Sequence, residues 1–165
     1  MSNWCEGNLK VRGKRSKIIN FVRNSLVGID YCFYKKEIPI ELEFFRNGVI
    51  GSIKTENERY YLYFKKSKML FPTGTIKFNL CDNEEDNQVL FFCIRQACDF
   101  DVNYLKKLYK VNDVDLRVVG YESEKKFTHE IEIEKGRVIK NITKKYGAEW
   151  DWKIDDPSLG GWRIK

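Results

Sequence analysis

Residues equipped for chemistry lie in three places along this 165-residue chain. The first is Arg59-Tyr60-Tyr61-Leu62-Tyr63-Phe64-Lys65-Lys66-Ser67-Lys68, where aromatic and cationic side chains interleave. In a strand, Tyr61 and Tyr63 fall on one face and Tyr60 and Phe64 on the other. Exposed tyrosines stack on nucleobases, and Lys65, Lys66 and Lys68 beside them would hold phosphates. The plainer alternative is a strand with one aromatic face buried, ending in solvated lysines. The second place is His129, the one histidine, on a strand face with Phe127, Ile131 and Ile133. It suits a general base or a ligand, but no spacing fixes a Ser, Cys or Asp beside it. A hydrogen-bonded, part-buried and non-catalytic histidine is expected. The third is Glu130, Glu132 and Glu134 on the opposite face, three carboxylates able to gather a divalent cation. The wet side of an outer strand, where charge also blocks edge pairing, explains them more simply.

The usual catalytic parts are missing. There is no phosphate-binding glycine loop, nucleophile elbow or zinc-protease helix. The acidic turn Asp82, Glu84, Glu85, Asp86 lacks the glycine and spacing of a calcium loop. Five cysteines at scattered spacing, without a secretion signal, argue for reduced thiols, and with one histidine they make no zinc site. The sequence thus predicts no enzyme, no metal and no cofactor. A net charge of +6 and a pI near 9.0 permit a nucleic-acid partner. The charge comes from many small clusters rather than from one basic tail. No apolar run has the length to span a bilayer, and the first residues are polar where a signal peptide would be apolar. A cytoplasmic chain with no membrane partner is expected.

These side chains need a scaffold. Leu9 and Val11 alternate with Lys10 and Arg12 in a first strand closed by Gly13, and Trp4 is large enough to plug one end of a core. Ser16 is placed to cap a helix carrying Ile18, Ile19, Val22 and Leu26, to about residue 28. Three strands at about 40–65, the first two joined at Asn47-Gly48, predict a meander. Thr75 to Cys81 alternates as a further strand. Val89 to Ile94 reads as a central one. Asp101 caps a second helix with Val102, Leu105, Leu108 and Tyr109. Val114 to Tyr121 and Phe127 to Glu134 are strands, Lys135-Gly136 turns the chain, and Arg137 to Ile142 returns as a strand or starts a helix. The core order strand, helix, strand, strand, helix, strand is the α+β, ferredoxin-like split βαβ arrangement, an antiparallel sheet with two helices on one face. The expected organisation is a single domain over 1–165. Its core is about 3–39 and 72–142, with an inserted β-meander at 40–71 and a Trp-rich tail at 143–165. The tail holds Trp150, Trp152 and Trp162, a solubility liability unless it packs back.

The opening Asn3-Trp4-Cys5, followed by Asn8-Leu9, Val11 and Gly13, resembles the start of the YubB-like family. These are proteins of phages, plasmids and integrated elements, described as carrying a ferredoxin-like domain. Ser2 stands where family members often have proline. A second signature, Trp-Gly-Thr-Lys-Trp, is similar to Gly74-Thr75-Ile76-Lys77-Phe78 with one residue inserted. Of a third, Thr-Ala-Trp-Ser-Pro-Pro, only Ala97 remains. The resemblance covers about 3–140; it implies the fold and a mobile-element origin, hence the cytoplasm of a bacterial host, and brings no catalytic residues.

Two functions follow as expectations. One is a non-enzymatic accessory protein that binds a host protein or ribonucleoprotein complex and inhibits a host defence nuclease, in the manner of an anti-CRISPR. The other is a single-stranded nucleic-acid-binding module using a basic-aromatic β surface. The contact residues expected are Tyr60, Tyr61, Tyr63, Lys65, Lys66 and Lys68 with Trp150, Trp152, Trp162 and Arg163, because interface centres favour Trp, Tyr and Arg.

Overall fold

Period-two alternation dominates this sequence, and strands dominate the structure. A computed structural model of the chain describes residues 3–30, 37–45, 50–54, 60–67, 69–73, 77–80 and 84–145. In chain order the described elements are β1 (Trp4–Gly13), α1 (Arg15–Ser25), β2 (Leu26–Asp30), β3 (Glu37–Ile38), β4 (Glu41–Phe45), β5 (Ile50–Lys54) and β6 (Tyr60–Phe64). They continue with β7 (Leu70–Pro72), β8 (Lys77–Asn79), β9 (Gln88–Ala97), α2 (Val102–Asn112), β10 (Asp115–Glu122), β11 (Phe127–Glu134) and β12 (Arg137–Lys145). The protein is of the α+β class, mostly antiparallel sheet with two helices. Its main sheet has six strands in the order β12-β11-β10-β1-β9-β7, and two three-stranded sheets, β3-β2-β6 and β4-β5-β8, complete it.

Both helices cover one face of the main sheet. Ile18, Phe21 and Val22 of α1 and Tyr104, Leu105 and Leu108 of α2 share one core with Leu9 and Val11, Phe92 and Ile94, Leu116 and Val118, and Ile131 and Ile133. Phe64 joins them, its ring 6.3 Å from Phe21 and 6.1 Å from Phe92. Gly7 and Gly120 face each other across β1 and β10. A Cβ on Gly120 would lie 2.4 Å from the Phe100 ring, so only glycine leaves room for it.

The helix termini divide. Asp101 caps α2, accepting from the backbone N–H groups of Asn103 and Tyr104 at 2.9 and 3.1 Å. Ser16 does not cap α1. The helix starts two residues earlier, Lys14 stands at the cap without a side-chain bond, and the Ser16 N–H donates to the Glu84 carboxylate at 3.0 Å. A charged acceptor from the acidic turn takes the place of a local hydroxyl. The helix also stops at Ser25 rather than near residue 28, because Leu26–Asp30, with β-branched Val27 and Ile29, pairs along β6.

Strand partners differ from expectation in two places. The stretch 40–65 is not a self-contained meander: β4 and β5 pair, but β6 turns to β2, and the third strand beside β5 is β8. The place beside β9 expected of Thr75–Cys81 is taken by β7. The cause is burial, since Phe64 and Leu70 are needed in the core. The Asn47-Gly48 turn lies outside the described residues. Arg137 onward is a strand, reached through Lys135 and Gly136 at φ 45° and 76°, the left-handed pair a two-residue hairpin turn requires. β11 is therefore an interior strand, and blocking an edge is not the task of its glutamates.

Candidate functional site

Alternation along β1 and β9 turns one set of side chains away from the helices. Leu9 and Val11 are buried in the core, so Trp4, Glu6, Asn8, Lys10 and Arg12 stand on the open face, the one turned away from the helices, although Lys10 at its centre is itself buried. On β9, Leu90, Phe92 and Ile94 are buried, which places Val89, Phe91, Cys93 and Arg95 on that open face too. Phe71 lies opposite Arg95 in the β7–β9 register, and Trp4 opposite Ala97. The result is a cluster at the β7 side of the open face. The Arg95 guanidinium sits 5.1 Å from the Trp4 ring centre and 5.8 Å from that of Phe71. Trp4 and Phe71 meet edge-to-face at 6.1 Å, and Tyr63 approaches Phe71 at 5.1 Å. Trp4 is thus half-buried on the open face and does not plug the core.

β6 extends the cluster. Phe64 points into the core, so Tyr63 and Tyr61 point the other way, and Tyr61 is 53% exposed. The Tyr63 hydroxyl donates to the Ser67 carbonyl at 2.7 Å, which fixes its ring against Phe71. Lys65 donates to the Arg23 carbonyl at 3.3 Å, near the end of α1, and Lys66 is exposed at φ 57°. Chemically this is a cluster of π-faces with Arg95 stacked among them in cation–π geometry.

The structure brings Tyr63 to this surface, against Phe71, and sets Tyr61 on the same face of β6. Lys65 instead lies against the helices, its amine on the Arg23 carbonyl of α1 and its carbonyl on the Tyr104 hydroxyl of α2, and Lys66 follows it in an exposed turn. Tyr60, at the start of β6, pairs through its backbone with Asp30 of β2. Lys68, Trp150, Trp152, Trp162 and Arg163 lie outside the described residues. The sequence reasoning missed Trp4, Phe71 and Arg95. A signal existed for two of them: Trp4 shares parity with Lys10 and Arg12 rather than with Leu9, and Arg95 interrupts an apolar strand.

The other chemical candidates are engaged in hydrogen bonds and ion pairs. His129 is buried on the helix side, its ring 6.3 Å from Phe100. Nε2 lies 2.8 Å from Asn141 Oδ1, and Nδ1 bonds to the Asp99 carboxylate. Burial works against its charge, but the hydrogen bonds to Asp99 and Asn141 and the Asp99 charge outweigh it and raise its pKa. On the open face the β11 carboxylates meet cations. Glu130 accepts from Arg117 at 2.6 Å and Lys140 at 3.1 Å, and Glu134 accepts from Arg12 at 2.6 Å. Burial alone would raise the Glu130 pKa, and these two cations bring it below the usual range. Cys5, Cys93 and Cys98 carry free thiols; burial, then Asp99, Glu122 and Glu6, push the Cys5 thiol far up. Among the described residues no three side chains converge as metal ligands, and no helix is long and apolar enough to cross a membrane. No protein-family model, curated protein or solved structure matches the chain.

Proposed function

We propose that this protein binds single-stranded nucleic acid on the open face of a ferredoxin-like sheet. The observation that carries the reading is Arg95 stacked over Trp4 and Phe71 on a sheet face the helices leave uncovered. The fold assignment rests on the order β10-β1-β9-β7, all antiparallel, with one helix between β1 and β7 and the other between β9 and β10. In such a site bases stack on Tyr61, Tyr63 and the Trp4–Phe71 pair, while Arg95, Lys65 and Lys66 meet phosphates. Every base has a π-face, so the binding tolerates many sequences. No group in the cluster is placed as a nucleophile or base, and the reading is of a binding module rather than an enzyme.

Fluorescence anisotropy with labelled single-stranded oligonucleotides tests it. Binding should be stronger for single strands than for duplexes of the same sequence. Arg95→Ala, and Tyr61→Ala with Tyr63→Ala, should each weaken it about tenfold or more, since one stacked base contributes about 1–3 kcal/mol. Absence of binding to any oligonucleotide at low salt would overturn the reading.

A second reading keeps the same surface and changes the partner. Trp, Tyr and Arg are also the residue types that dominate protein interfaces. Together with the mobile-element resemblance of Asn3-Trp4-Cys5, the cluster then suits an accessory protein docking on a host nuclease complex. A pull-down from bacterial lysate, with and without nuclease treatment, separates the two. Capture that survives nuclease and is lost with Arg95→Ala favours the protein partner.

A further inference from the structure

We propose that a cleft at the C-terminal end of α1 binds a free α-amino acid with an apolar side chain. The cleft begins at Pro39. β2 and β3 pair at Gly28 with Ile38 and at Ile29 with Glu37, and the next pair in that register would be Val27 with Pro39. Proline has no N–H to give, and the ladder stops before it. Ile40 then leads into β4, which pairs with β5 instead. The space left between the end of α1, the start of β2 and the exit from β3 is about 280 Å³. Buried Leu26, Val27 and Ile38 form its floor, with Pro39 and Ile40 as an accessible apolar wall. Arg23, Lys65 and Glu37 bring charge to it.

Size and charge select the occupant. Pockets for drug-sized ligands and cofactors run from about 300 to 1,000 Å³. This cleft falls just below that range and suits one small molecule rather than a nucleotide. Arg23 and Glu37 are exposed, and neither they nor Lys65 take part in an ion pair among the described residues. Glu37 therefore lines the same cleft as two cations without neutralising either. The Lys65 amine donates to the Arg23 carbonyl at 3.3 Å and has further N–H donors to offer.

A simple anion in this cleft would meet Glu37, and a simple amine would meet Arg23 and Lys65; in both cases like charges repel. A neutral apolar molecule would leave all three groups unused. A zwitterion uses both signs. Its carboxylate meets the Arg23 fork and the Lys65 amine, its ammonium meets Glu37, and its side chain lies against Pro39 and Ile40. The cleft shares only Lys65 with the groups proposed to meet nucleic acid, so the two sites are tested separately.

The test is an NMR titration of the full chain with L-leucine and L-phenylalanine, read at the backbone amides of Val27, Ile38 and Ile40. At least one of the two should give saturable shifts, with a dissociation constant of about 1 mM or tighter. Removing the amine (4-methylpentanoate, 3-phenylpropanoate) or the carboxylate (3-methylbutylamine, 2-phenylethylamine) should weaken binding about tenfold or more. Glu37→Gln should weaken the amino acid and spare the carboxylate analogue. Arg23→Gln should weaken the amino acid and the carboxylate analogue and spare the amine. Both side chains are exposed, and the remaining amide spectrum shows directly that each variant is folded. The proposal is overturned if neither amino acid gives saturable shifts up to about 10 mM. It is also overturned if a singly charged analogue binds as tightly as its amino acid, or if binding survives both substitutions unchanged.

Discussion

His129 and Gly120 show how single residues hold the region where β1, β10 and β11 meet α2. His129 lies opposite Gly120 in the sheet, and Phe100 fills the space that Gly120 leaves. Overpacking a filled site costs about 1–3 kcal/mol, so Gly120→Ala should lower the denaturation midpoint by that amount, with Phe100 displaced. The histidine predicts a pH dependence. Its pKa is raised above 6.5 by Asp99 and Asn141 despite burial. The folded state therefore favours the imidazolium. That contribution is fully present below about pH 6.5, the unfolded value, and is lost as pH rises through the raised folded value. The thermal midpoint should fall across that window, and His129→Gln should flatten this part of the profile. A profile unchanged by the substitution would show that the ring is neutral in the fold. Trp4 belongs to the same scale. A fully buried indole would cost about 3–5 kcal/mol on truncation to alanine, but this one is half-buried under an arginine. Trp4→Ala should cost less than that range in thermal unfolding and more in binding than in stability.

At the scale of elements, the capping of the two helices can be compared directly. Asp101 makes two short bonds to the first turn of α2, and Asp101→Ala should cost about 1 kcal/mol in chemical denaturation. Glu84 serves α1 from a distant turn, and its hydrogen bond to Ser16 holds its pKa below the usual range. Glu84→Gln should cost less than Asp101→Ala because the carboxylate is fully exposed. Its contribution should vanish as pH falls through the lowered carboxylate pKa. Local signals made α2, its cap, the strand β11 and the turn at Lys135-Gly136 legible in the sequence, while leaving 137–142 open between strand and helix. Each depends on neighbours within a few positions, as at Asp101 or Lys135-Gly136. Strand partners were not legible in the same way. The alternation in Tyr60–Phe64 announces a strand, but nothing in it says that β2 rather than β5 lies alongside. Competition for core volume decides that, and Phe64 wins its place through contacts with Phe21 and Phe92 far away in sequence. The site suffered the same limit. Tyr61 and Lys66 stood out in one stretch, whereas Trp4, Phe71 and Arg95 come from three strands and meet only when the sheet forms.

The whole molecule carries thirty cations and a net charge of +6, and part of that charge is already held in ion pairs. Arg12 is held by Asp115 and Glu134, Arg117 and Lys140 by Glu130, Lys14 by Glu85, Lys17 by Asp113 and Lys54 by Glu43. Among the described residues, Arg95, Lys65 and Lys66 take part in no such pair, and Arg95 lies within the aromatic cluster. The far side of the open face holds the β11 carboxylates Glu130 and Glu134, already paired with Arg117, Lys140 and Arg12. Binding should therefore draw on about three phosphate contacts rather than on the total charge. For a single strand each contributes about −0.7 to the slope of log affinity against log salt, giving a slope of about −2. Lys65→Glu with Lys66→Glu should reduce it to about −0.7, while Lys140→Glu, across the sheet, should leave it unchanged. The measurement is anisotropy with one oligonucleotide over a series of salt concentrations. A slope of about −4 or steeper, or one that Lys140→Glu flattens as much as the Lys65 and Lys66 pair does, would move the nucleic-acid path off the Trp4–Arg95 cluster and onto another face.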